Sequence, residues 1–247
     1  MKYAVYVEGQ SELLFVADVL QKYSDYDAGR CGFICINLKA DIFERMNYPQ
    51  QGDETSADYF QIVNVNNDNM VVSKLRKDIP GLIGRGYNVI IGLKDVFSEA
   101  YEQMMSGELR VDRAKIEEMH TIQQEVIDAP EGSDCRLHFA IMEYEAWMLA
   151  LIENYVLQHG KDLAGVCGQL RVDLAEDFEQ TVYHPYPLVR KIYQACGEDY
   201  HKHGSESFSF LSTLTVEDYE RLRLSGRCAS FAKFIDSLIG GTKPQLP

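Results

Sequence analysis

Residues 3–7 (YAVYV) form an apolar strand-like run, and 13–20 (LLFVADVL) then place apolar side chains at helical spacing, so the chain begins strand, turn, helix. That is half of a parallel crossover unit. Strand-like runs follow at 33–38 (FICINL), 60–65 (FQIVNV), 87–93 (YNVIIGL) and 137–142 (LHFAIM), with helical patterns near 69–79, 112–127 and 143–158. The alternation predicts an α/β fold, a mainly parallel sheet flanked by helices. The polar stretch 39–59, which contains Pro49 and Gly52, reads as a long loop or irregular insertion. Past residue 160 only helical patterns remain, at 161–170, 186–196, 215–224 and 228–239. The expected organisation is an α/β domain over 1–158 and a helical C-terminal region, 159–247, packed on it.

Composition narrows the class. With 247 residues, 46% of them hydrophobic and 25% charged, the chain is long enough for a substantial core. No run approaches the roughly 18 to 20 apolar residues that span a bilayer, and no secretory signal precedes the first strand; no membrane association and a cytoplasmic location are expected. Six scattered cysteines read as reduced, mostly buried thiols. The net charge of −14 argues against holding nucleic acid by bulk electrostatics, which needs clustered Lys and Arg. It leaves room for an enzyme that meets nucleic acid through metal ions.

In a parallel α/β sheet, ligands collect outside the carboxyl ends of the strands, so the residues after each strand carry the chemistry. Glu8 follows the first strand and Gly9 lets the backbone turn there. A carboxylate at a buried strand tip needs a cation, a metal or hydrogen-bond donors. Glu12 stands in the first helical turn, where the helix dipole already accounts for an acid, so it is a secondary candidate. After YNVIIGL come Lys94 and Asp95, a second acid at a strand tip. Asp95 can share a divalent ion with Glu8, or simply open a turn. After LHFAIM, Glu143 and Glu145 begin a helix, and two positions apart they do not share a helical face, so only one is expected to point at a site. Trp147, the one tryptophan, fits the core better than a stacking platform.

These residues carry a resemblance. VEGQSE resembles the first motif of Toprim domains, a Glu at the end of the first strand followed by a tight Gly turn. VEGQSELLFV, the acid of VIIGLKD, EYEAWMLA and the late RCASFAKFIDSL together resemble a bacterial family of Toprim-like proteins of unknown function, often associated with ABC-type ATPases. The resemblance implies a Toprim-like parallel α/β fold and phosphodiester chemistry with a divalent cation, Mg or Mn, as in nuclease members active in phage defence or DNA maintenance. It makes Glu8 and Asp95 the acids of the first and second motifs, as catalytic and metal-binding residues; Glu143 and Glu145 join them as metal-ligand candidates from their place after the last strand. The chain departs from the second motif, which carries two aspartates separated by one residue: here the sequence is Leu93-Lys94-Asp95 or Asp95-Val96-Phe97, with a single aspartate. Glu99 is a candidate replacement oxygen and Lys94 a candidate phosphate contact or a solvated loop residue.

Competing chemistries are weaker. There is no GxxxxGK[ST], and Gly81, Gly84 and Gly86 precede a strand instead of following one. His184, His201 and His203 read as surface or hydrogen-bonded histidines. Two function classes remain: a Mg- or Mn-dependent nuclease acting on nucleic acid, and a non-catalytic subunit that binds or regulates a partner ATPase.

Overall fold

A computed structural model describes residues 1–66, 70–127, 133–202 and 206–240. The elements run β1 (Lys2–Val7), α1 (Gln10–Tyr23), β2 (Cys31–Lys39), β3 (Ile42–Gln51), β4 (Asp58–Asn64), α2 (Met70–Gly84), β5 (Val89–Asp95), α3 (Glu99–Met105), α4 (Arg113–Val126) and β6 (Asp134–Ala140). Helices α5 (Glu145–Leu151), α6 (Glu153–Gln158), α7 (Leu163–Leu170), α8 (Phe178–Thr181), α9 (Tyr186–Cys196), α10 (Glu206–Leu211), α11 (Val216–Leu224) and α12 (Ala229–Ile239) complete it. The fold is α/β, as the alternating pattern predicts. One six-stranded sheet has the order β3-β2-β4-β1-β5-β6.

The sheet belongs to the first of two compact units, residues 1–94, 114–139 and 234–247. β1 is central, paired in parallel with β4 (Val5 opposite Ile62) and with β5 (Val5 opposite Ile91). Residues 3–7 are all buried, and that is why this strand reads as an unbroken apolar run. The first helix begins after Gly9 and buries Leu13, Leu14, Phe15, Val16, Val19 and Leu20. Among the described residues no helix is long and apolar enough to cross a membrane. All six cysteines are free thiols, four of them buried, and burial pushes the Cys31 thiol up to about 12.

The stretch 39–59 is not a loop. It holds β3, antiparallel to β2, joined through Ala40 and Asp41, whose φ values of 46° and 64° are those of a two-residue hairpin turn matched to strand twist. β3 is the edge strand and mostly exposed on both faces, so no apolar alternation marks it in the sequence. Its side of the hairpin closes tightly. A Cβ on Gly32 in β2 would stand 2.5 Å from the Asp53 carbonyl oxygen and 2.9 Å from its nitrogen.

The second unit comprises residues 95–113 and 140–233. The compact units therefore do not divide at 158/159: the chain leaves the first unit at the end of β5, returns in α4, leaves again at the end of β6 and comes back within α12. Side-chain caps fix where several helices of this unit start. Asp162 accepts from the Ala164 and Gly165 N–H groups ahead of α7, Asp177 from Glu179 N–H ahead of α8, and Thr215 with Asp218 forms a capping box on α11. The expected helix over 143–158 is two, α5 and α6. The core of the unit is aromatic: Trp147, Tyr155, Phe178, Tyr193, Tyr200, Phe210, Tyr219 and Phe231 are buried, with the Tyr155 and Tyr193 rings stacked 4.3 Å apart.

Two glycines make opposite expectations. Gly32→Ala is expected to lower stability by about 1 to 3 kcal/mol, because the Cβ meets the Asp53 backbone as well as the Ser56 hydroxyl, and the backbone does not yield as a side-chain end does. Gly81→Ala, on an exposed turn of α2 with nothing within 4 Å, is expected to raise it by about 0.5 to 1 kcal/mol. Urea unfolding of both variants measures the pair, and equal shifts of one sign would contradict it.

Candidate metal centre

Within the second unit, Asp95, Glu143 and Glu145 are all buried, and one carboxylate oxygen from each lies within 4.8 Å of the other two. Asp95 is the last residue of β5. Glu143 stands in the connection between β6 and α5, and Glu145 is the first residue of α5. The backbone turn ahead of Glu143 is unusual: Met142 has φ of 64°, in the left-handed region that non-glycine residues rarely enter, and its carbonyl accepts from Phe97 N–H at 2.7 Å. That turn makes the helical-face expectation for Glu143 and Glu145 inapplicable. Glu143 precedes the helix, so both acids reach the same place.

Each carboxylate is held in the same way. One oxygen is clamped by a neutral donor and the other faces a common centre. Asp95 Oδ1 accepts from Tyr144 N–H at 2.8 Å, Glu143 Oε2 from Tyr186 N–H at 3.0 Å, and Glu145 Oε1 from the Tyr200 hydroxyl at 3.1 Å. The Lys202 ammonium lies at the centre, 2.8 Å from Glu143 Oε1, 3.3 Å from Glu145 Oε2 and 3.6 Å from Asp95 Oδ2. His184 Nε2 is 3.5 Å from Glu143 Oε2, and its ring stacks on Phe97 at 4.4 Å. Burial opposes the charge on Lys202, but the Asp95, Glu145 and Glu143 carboxylates outweigh it and raise its pKa above the ordinary lysine value.

The helix that carries Glu145 is pinned by a second buried acid. Trp147 Nε1 donates to Glu179 Oε1 at 2.9 Å and to Ser230 Oγ at 3.1 Å. Glu179, fully buried, also accepts from Ser230 N–H at 3.2 Å and from the Ser230 hydroxyl, and pairs with Arg113 at 3.5 Å. Trp147 is thus core, with its N–H satisfied.

Glu8 and Glu12 belong to the first unit, both buried. Glu12 is the third residue of α1, and its Oε2 lies 2.8 Å from where a Cβ on Gly9 would stand, so the carboxylate folds over the helix start. Lys94 is neither solvated nor in a loop: it is a buried residue of β5, 6.0 Å from the Phe139 ring centroid. Glu99 is exposed in the first turn of α3, behind the Ser98 cap, the position an acid takes against the helix dipole. His201 is exposed, and His203 lies outside the described residues. Lys202, Tyr186 and Tyr200 have no local signature; Lys202 sits between two histidines that drew attention instead.

Glu179→Ala is expected to destabilise the protein by about 2 to 4 kcal/mol, because the Trp147 and Ser230 donors lose their acceptor inside the core. Denaturation followed by the fluorescence of Trp147, the chain's one tryptophan, reads it out. A loss below about 0.5 kcal/mol would show the interaction to be incidental.

Comparison of the chain with family models, with curated proteins and with solved structures returned no match.

Proposed function

We propose that the Asp95–Glu143–Glu145 triad is a divalent-cation site, for Mg or Mn, and that the protein cleaves phosphodiester bonds of nucleic acid there. One observation carries the proposal: three buried carboxylates each have one oxygen fixed by a donor and the other turned to a shared centre. The donor set fits. It is all oxygen, suited to hard cations, and ligand oxygens around an ion at about 2.1 Å stand roughly 3 to 4 Å apart, close to the spacing here. Hydrogen bonds to the far oxygens are the usual support of ligating carboxylates.

A bound divalent ion supplies charge stabilisation to a phosphoryl oxygen. The chain's own residues do the rest. The Tyr144 and Tyr186 amides and the Tyr200 hydroxyl keep the carboxylates from turning away, and α5, held through Trp147, fixes the Glu145 backbone. With a net charge of −14, the protein has little bulk attraction for nucleic acid, so an ion on the triad is the natural bridge to a phosphate. The Toprim-like motifs support the same chemistry, with Asp95 as the acid of the second motif.

A second reading, a non-catalytic subunit that binds or regulates an ABC-type ATPase, has its own observation. Where the second Toprim motif would place another aspartate, Leu93 or Phe97 stands instead, and Phe97 is stacked on His184. The triad then serves as a structural salt cluster with Lys202.

Incubation of purified protein with single- and double-stranded DNA and RNA separates the two. Cleavage with magnesium or manganese is expected from the wild type and is expected to fall by at least about a hundredfold in Asp95→Asn, Glu143→Gln and Glu145→Gln. Tyr200→Phe, which removes one clamp, is expected to cost about 10- to 100-fold. No metal-dependent cleavage, or unchanged rates in the triad variants, would favour the non-catalytic subunit.

A further inference from the structure

We infer that Lys202 is a tethered competitor for the cation: its ammonium holds the centre of the triad, and a divalent ion binds there only by expelling it. The inference rests on the triad being a cation site, and adds what controls entry to it. The three oxygens that face Nζ, at 2.8, 3.3 and 3.6 Å, are not the ones that accept from Tyr144, Tyr186 and Tyr200. An ion bound about 2.1 Å from all three would stand within about 4 Å of Nζ. Two cations that close in a buried site repel strongly, so ammonium and ion exclude one another.

The lysine has somewhere to go. Its side chain is 34% exposed, in contrast to the buried carboxylates, and its Nζ already lies 5.5 Å from the centroid of the Tyr186 ring, a second place of rest for a cation. The four-carbon stem is flexible enough to swing between the two. The exchange also discriminates by charge. A monovalent ion brings no more charge than the ammonium it would replace, whereas a divalent ion brings one more positive charge to a place lined by three carboxylates. Lys202 therefore sets a threshold that sodium and potassium do not cross and that magnesium or manganese does.

Manganese binding measured by electron paramagnetic resonance tests this without reference to activity. Lys202→Met is expected to bind Mn²⁺ at least about tenfold tighter than the wild type, since a like charge no longer holds the seat. Lys191→Met, which removes an exposed charge from α9 of the same unit, is expected to leave the affinity unchanged. In the wild type, acylation of Lys202 by an amine-reactive reagent, read by mass spectrometry against Lys191, is expected to speed up several-fold when Mn²⁺ is added, because expulsion frees the amine. Wild-type binding with no tightening in Lys202→Met, or a Lys202 acylation rate that Mn²⁺ leaves unchanged or slows, would overturn the competition while leaving the cation site standing. Absence of Mn²⁺ binding in both proteins would remove the cation site and the competition together.

Discussion

Three carboxylates buried within 4.8 Å of one another repel, and at an effective dielectric of about 20 each pair at such a separation costs about 3 kcal/mol. The local architecture of the second unit answers that repulsion. Lys202 reaches all three acids, and the Tyr144, Tyr186 and Tyr200 donors stabilise the ionised forms from outside. Burying such a group is costly, and replacing it with apolar side chains would often stabilise a protein.

The second constraint is positional. Asp95 ends β5, and Glu143 follows β6 through the left-handed turn at Met142. Carboxyl ends of strands are where α/β proteins place ligands, and two of the three acids stand at or just past such an end in the chain. The third arrives through the start of α5. Trp147 and Glu179 anchor that helix from within the core, and the quality of the triad therefore depends on a buried acid that never approaches it.

Much of this was legible from the residues. The unbroken apolar runs of β1, β4 and β5 declared a parallel sheet, because strands buried on both faces leave that trace; the run of β5 pointed to Asp95 and that of β6 to the Glu143–Glu145 segment. β3 left no trace, since an exposed edge strand gains little from apolar alternation. The pairing of Glu143 with Glu145 was obscured by assuming a helix through both, when a single left-handed residue starts the helix later. Lys202 was invisible for a different reason: it comes from a turn more than fifty residues downstream, and nothing in Tyr200-His201-Lys202 differs from an ordinary surface stretch. Charge neutralisation of a buried cluster is a property of the fold, which a local pattern does not carry.

Anomalous X-ray scattering at the manganese edge, from crystals equilibrated with Mn²⁺, bears most directly on the cation site. The expected result is a peak about 2.0 to 2.3 Å from oxygens of Asp95, Glu143 and Glu145, with the Lys202 ammonium withdrawn from its place among them. A crystal saturated with manganese that shows no peak at the triad, and Lys202 still bridging the three carboxylates, would contradict the account.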